Sequence, residues 1–242
     1  MKKSIKTNVF AKANKLYAEN GTLVMISSFI VWMSILLLML FPLFGFALSF
    51  FAMCFLCLGF KKVVLDITMD KNPKIENIFA YFKYCLSAFC LKVATCVIVF
   101  LWSLLFVIPG IIMGLNYVFA PYILAENPNF GAIKAMQESR KMVYGNRGNI
   151  LVLYLIMVLS IALVVLISSF IMIMINLVTP IPLWLTIIVP TVLTLFIFFV
   201  FILPYFEIIF TTMYNDVKEL SEKPKKPRKT TKTQLNVEES QQ

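Results

Sequence analysis

Three stretches of this chain carry no charged residue: 22–60, 93–125 and 149–206. Each is longer than the ~20 apolar residues that cross a hydrocarbon core of about 30 Å. Hydrophobic residues make up 60% of the chain and charged residues only 14%, with a mean hydropathy of +0.88. A soluble domain carries about a quarter charged residues and could not hide this much apolar surface. Backbone polar groups in hydrocarbon must be bonded within their own segment. The expected class is therefore an all-α integral membrane protein.

The lengths of the runs set where the chain turns. As one helix, 22–60 would be nearly 60 Å long at about 1.5 Å per residue, roughly twice the core thickness. It is expected to fold back at Pro42 and Gly45, giving spans over 22–41 and 44–64. A third span covers 86–108, with Lys92 near its start, where a long stem lets the ammonium reach the headgroups. Pro109-Gly110 can be a kink or a turn. The seven Lys and Arg after Asn215 belong on the cytoplasmic side, and only a turn puts every charged segment there. A short fourth span over 111–125 follows, then a fifth over 149–176. Thr179-Pro180-Ile181-Pro182 is expected as the outer turn before the sixth, 183–209. Pro190 and Pro204 lie in that last span, and neighbouring helices must satisfy the carbonyls they free. The expected architecture is six transmembrane helices in three hairpins, both termini cytoplasmic.

The polar segments flank this 22–216 membrane domain. In 1–21, Val9, Phe10, Ala13, Leu16 and Tyr17 share one helical face, and Asn20-Gly21 supplies a stop. This amphipathic helix either lies in the membrane interface or packs on the protein's own cytoplasmic face. Between Lys61 and Tyr84, Asn72-Pro73 suits a helix start, and Ile75, Ile78, Phe79 and Phe82 form an i, i+3, i+4, i+7 stripe. The lysines there, Lys61 included, read as anchors on the positive side. Asn127-Pro128 opens a second surface helix, about 130–144, stopped by Gly145. Within it Glu138 can pair with both Lys134 and Lys141. From 217 to 242 the chain is polar, basic and Pro-interrupted, expected as a disordered cytoplasmic tail.

The formal charge of +10 follows this topology and does not call for nucleic acid. The expected partners are the lipid bilayer, with anionic lipids reached through the basic tail, and a membrane-protein partner. The 22–60 run begins late and is too long for a signal-peptide core, so the first span is expected to stay in place. Catalytic signals are nearly absent: there is no His, no Gly-rich phosphate loop and no G-x-S-x-G. Of five cysteines, Cys54 and Cys57 sit at C-x-x-C spacing in an apolar run, a context of packing residues. No disulfide, metal site or cofactor is expected. The polar residues near the spans are the functional candidates. Glu207 is an ionisable group near a span end, either structural or engaged with substrate or protons. Asn116 can hydrogen-bond across helices, and Asn176 is a third candidate. Asp66, Glu126 and Arg140 lie near the interface.

Internal echoes are present. The segments after Asp66 and after Tyr122 both run from an acidic residue through Asn-Pro into an amphipathic stretch, and Pro204-Tyr205 echoes Pro121-Tyr122. Ile108-Pro109-Gly110-Ile111, the run from Ala120-Pro121-Tyr122 to Glu126-Asn127-Pro128, then Ala135, Ser139-Arg140 and Gly145 carry a wider likeness. Through them the chain resembles an uncharacterised family of multi-pass bacterial membrane proteins common in low-GC Gram-positives. The likeness extends to the YciC-like proteins and to the membrane domain attached to some glycerophosphodiester phosphodiesterases. It covers most of 9–216, with weaker echoes at Leu65-Asp66-Ile67 and Asn77-Ile78-Phe79. The resemblance implies six spans and no established activity. This chain departs in its longer basic tail and in lacking an attached phosphodiesterase domain, so no enzymatic role carries over.

Three functions compete at this point. The first is a non-enzymatic membrane scaffold or accessory subunit, suggested by surface helices without an evident intramembrane charge pathway. The second is a small-molecule or lipid transporter, suggested by the repeat and the broken helix at Pro109-Gly110. The third is a membrane-bound enzyme acting on lipid headgroups.

Overall fold

A computed structural model describes residues 5–39, 41, 44–178 and 182–222, and among them there is no strand. Helix α1 spans Ile5–Met39, α2 Gly45–Thr68, α3 Asn77–Ala80, α4 Cys85–Leu105 and α5 Val107–Asn116. They are followed by α6 Ala120–Glu126, α7 Gly131–Val143, α8 Arg147–Val178, α9 Leu183–Ile197 and α10 Leu203–Glu222. Six helical stretches are long and apolar enough to cross a membrane, the first Val9–Leu38 and the last Thr194–Ser221. Their outer faces keep large side chains uncovered, as at Leu104 (74% exposed) and Leu166 (68%). Apolar surface of that extent needs a non-aqueous solvent or a partner.

The stop expected at Asn20-Gly21 is not used: α1 is continuous across it. A glycine ends a helix by going left-handed, and Gly21 stays in the right-handed helix. The face anticipated for the first turns is nonetheless the buried one, with Val9, Ala13 and Leu16 in the core. It packs on α10, where Tyr17 meets Tyr205 edge-on at 5.3 Å and the Tyr205 hydroxyl donates to Asn14 Oδ1 at 2.7 Å. Pro42 lies outside the described residues, and Gly45 is the first residue of α2.

The break after α4 falls at Phe106, which is extended (φ −158°, ψ 145°), and not at Pro109-Gly110. Pro109 sits in the first turn of α5, where a missing N–H costs least. Gly110 has a different use: a Cβ there would lie 2.0 Å from Ser103 Oγ and 2.9 Å from Ser103 Cα. Its lack of a side chain lets α4 and α5 approach closely. The stretch read as one short span, 111–125, is broken by a turn at Tyr117–Phe119 between α5 and α6.

The segment 61–84 is less helical than its stripe suggested. Residues 71–74 are irregular, α3 has a single turn, and Tyr81–Tyr84 is 3₁₀. Ile78 is fully buried while Phe79 and Phe82 are exposed. The second surface helix is close to its expected bounds, ending where Gly145 adopts φ 97°. Asn127 makes no side-chain cap, and Pro128–Phe130 forms a 3₁₀ turn ahead of α7. Glu138 pairs with Lys141 at 2.8 Å, but Lys134 stacks over the Phe130 ring at 4.0 Å instead of reaching Glu138.

The last span carries a π-helical turn at Phe198–Ile202, with the Leu203 amide bonded to the Phe198 carbonyl. In that register the next donor, to the Phe199 carbonyl, would be residue 204, a proline without an N–H. The Ser28 hydroxyl of α1 donates to it at 2.9 Å. A neighbouring helix thus satisfies a carbonyl freed by Pro204. Helix α10 runs on to Glu222, so 217–222, expected in the tail, is helical, while 223–242 lies outside the described residues. Of the outer turn expected over 179–182, residues 179–181 lie outside them too, and Pro182 precedes the first residue of α9.

Helix α2 is central, touching α1, α3, α4, α6 and α10, whereas α8 and α9 pack mainly on each other. The densest core surrounds the C-terminal half of α2: Val63, Val64, Leu65, Ile78, Leu124, Ile208 and Ile209 are almost entirely buried.

Candidate functional site

Helical spacing places charged and phenolic groups on facing sides of three helices. On α10, Glu207, Thr211, Tyr214 and Lys218 recur at i, i+4, i+7 and i+11, one continuous stripe. On α6, Tyr122 and Glu126 are one turn apart, and α2 presents Cys57 and Lys61 in the same way. These stripes meet where α2, α6 and α10 pack together.

Two linked clusters result. In the first, Glu207 Oε1 accepts hydrogen bonds from Lys61 Nζ and from the Tyr122 hydroxyl, the latter at 2.7 Å. Lys61 Nζ also lies 4.2 Å from the centre of the Tyr122 ring, a cation–π contact that strengthens on desolvation. In the second, Glu126 accepts from Lys218 Nζ and from the Tyr214 hydroxyl at 2.6 Å. The Tyr122 and Tyr214 rings stack at 5.7 Å, and Phe119 packs on both. The exchange is reciprocal: α6 lends a tyrosine to the glutamate of α10, and α10 lends one to the glutamate of α6.

The first cluster forms part of the wall of a cavity of about 470 Å³ between α2, α4, α6, α8 and α10. That volume falls within the roughly 300–1,000 Å³ of small-molecule pockets. Lys61, Lys92 and Glu207 are its formally charged wall residues, and Tyr122, Tyr154 and Thr95 add hydroxyls. Most of the remaining wall is apolar, with Phe50, Leu91 and Met157 among it. Glu207 Oε1 is shared by Lys61 and Tyr122, whereas Lys92 has no ion-pair partner among the described residues. The cavity therefore carries a net single positive charge.

The sequence candidates divide. Glu207 lies at the cavity and Glu126 in the adjoining cluster. Asp66 is buried and pairs with Lys62 at 2.8 Å, apart from the cavity wall. Arg140 is exposed on α7 and joins neither cluster. Asn116 does not reach across to another helix with its side chain. Its amide nitrogen contacts Met113 Sδ at 3.5 Å, its buried Oδ1 has no partner, and it is its backbone carbonyl that accepts from Ser139 at 2.8 Å. Asn176 is on α8, which meets the cavity through Tyr154 and Met157. Of the motif residues, Pro121 and Tyr122 line the cavity, while Pro109, Gly110, Asn127, Pro128 and Gly145 shape turns and close approaches.

Lys61, Lys218 and Tyr214 were not anticipated as site residues. Lys61 had the look of a membrane anchor and Lys218 of the first residue of a tail, because each borders an apolar run. The stripe on α10 was a usable signal, hidden by ending that span at 209. The five cysteines are free thiols. Among the described residues no group of three His, Cys, Asp or Glu is placed to hold a metal ion. Comparison with family models, with curated proteins and with solved structures finds no match to this chain.

Proposed function

We propose that this chain is a multi-pass protein of the bacterial cytoplasmic membrane that binds a small molecule or a lipid within its helical bundle, as a transporter or permease does. The observation carrying this reading is the Lys61–Glu207 pair set into a cavity wall inside the apolar part of the molecule. Ionisable groups are expensive there and concentrate where a ligand path needs them. The scaffold reading draws on the surface helices together with the want of an evident intramembrane charge pathway, and the cavity favours the ligand-binding alternative over it.

The six apolar stretches fit three hairpins with both termini cytoplasmic. The positive-inside rule favours this orientation, since Lys and Arg gather in 71–83, 134–147 and from 218 onward. Reporter fusions after Glu222 are expected to read as cytoplasmic, and a fusion within 179–181 as external. An external signal after Glu222 overturns the arrangement.

Binding is tested by filling the cavity. Thr95→Trp, on the cavity side of α4, is expected to leave the melting temperature in detergent near that of the wild type. It should remove any small molecule or lipid that the purified wild-type protein retains in native mass spectrometry. If the wild type retains nothing, or Thr95→Trp retains as much, the cavity is not a binding site and the scaffold reading returns.

A further inference from the structure

We infer that the cavity selects an amphiphile with one negatively charged oxyanion head, a lipid phosphate or a fatty carboxylate, bound by Lys92 with its acyl chain along the apolar wall. This rests on the cavity being a binding site and adds the chemical class of its ligand.

Charge balance is the first support. Lys61 is already engaged on two sides, by the Glu207 carboxylate and by the face of the Tyr122 ring. Glu207 in turn accepts from both Lys61 and Tyr122. The net charge of the pair is zero. Lys92 enters the same wall from α4 without an anionic partner among the described residues. An anion placed between this cation and the apolar wall interacts with it more strongly than in bulk water, because the wall excludes solvent on that side.

The charge count also argues against an ammonium in the ligand. Phosphatidylcholine and phosphatidylethanolamine carry both a phosphate and a cationic nitrogen, and Glu207, the carboxylate in the wall, is already paired with Lys61. A head with a single net negative charge leaves the cavity neutral, whereas a zwitterionic head leaves its charge unbalanced.

The wall supplies the other half of the recognition. Phe50, Met53, Leu58, Leu91, Met157 and Phe210 surround the space and offer an acyl chain apolar contact without hydrogen-bond demands. A small inorganic anion would satisfy Lys92 but leave this wall facing water, at a cost set by the hydrophobic effect. One end polar and cationic, the rest apolar, is the complement of an anionic amphiphile. Lys92 itself is solvent-accessible overall, so a head bound there keeps contact with the polar boundary while its chain enters the cavity.

The test uses the purified full-length protein in a neutral detergent, titrated separately with phosphatidylglycerol, oleate and phosphatidylcholine. Binding is read by native mass spectrometry and by the rise in melting temperature. Phosphatidylglycerol or oleate is expected to bind with at least roughly tenfold preference over phosphatidylcholine, and whichever does so identifies the head as phosphate or carboxylate. Lys92→Ala is expected to remove that preference by a similar factor, the loss of one charge-assisted contact. Lys92→Arg should keep it, and Lys141→Ala, an exposed lysine on α7, should not change it. Equal binding of phosphatidylcholine in the wild type overturns the anion selection while leaving the cavity a binding site. Full preference in Lys92→Ala overturns the role of Lys92. Absence of binding by all three overturns both this inference and the reading on which it rests.

Discussion

Gly59→Ala is expected to destabilise the protein by about 3 kcal/mol, at the upper end of overpacking costs. A Cβ on Gly59 would sit 2.3 Å from the Ile78 carbonyl oxygen and 2.6 Å from Ile78 Cα. Both atoms are backbone, so no rotamer change relieves the clash. The α3 segment would have to lift from α2, uncovering the fully buried Ile78 side chain. The effect should appear as a lower melting temperature in detergent and as faster proteolysis between 69 and 84. Gly148→Ala is the control: a Cβ there meets nothing within 4 Å, and alanine suits a helix better than glycine. A Gly59→Ala protein that melts with the wild type would show that α3 does not lie against α2.

Breaking the Lys61–Glu207 pair from one side is expected to be larger still. The side chains are 20% and 12% exposed respectively, and removing one partner from a buried pair costs roughly 3–5 kcal/mol because the other charge stays behind unpaired. Glu207→Ala should therefore lower stability strongly, while Glu207→Gln, which keeps an acceptor for the Tyr122 hydroxyl, should lower it less. The double replacement Lys61→Met with Glu207→Leu removes both charges together and is expected to recover much of the loss. By contrast, Glu138→Ala breaks a pair whose lysine is 70% exposed, and the melting temperature should barely move. Thermal unfolding in one detergent across the four variants reads all of this. Equal effects from Glu207→Ala and Glu138→Ala would mean that Glu207 is solvated and not held in the wall.

These two predictions differ in how far their causes could be seen beforehand. Glu207 stood out because an acid follows 59 uncharged residues, which is a local fact. Its partner Lys61 is 146 residues away, and nothing in the spacing of either residue names the other. Gly59 drew no notice at all, since a glycine inside an apolar run signals a close approach only once the approaching chain is known. Pro109-Gly110 shows the reverse error. A Pro-Gly pair suits a turn by local rules, yet the chain breaks three residues earlier, at Phe106. Gly110 is needed because Ser103 packs against it. Gly145 was readable because its positive φ is a demand of its own backbone.

The sequence alone determined the apolar character of the long runs and the bulk of the secondary structure. Both depend on run length and on the separation of charge from apolar residues, quantities summed along the chain. Backbone groups in hydrocarbon must bond within their own helix, so long uncharged runs become helices wherever they later pack. Only the tertiary structure decided that Lys61 faces Glu207, that Tyr122 and Tyr214 exchange glutamates between α6 and α10, and that Lys92 is left over in a cavity. Those outcomes depend on which faces of helices remote in sequence are brought together. A helical stripe specifies a face, and the partner that meets it is set by the packing of the whole bundle.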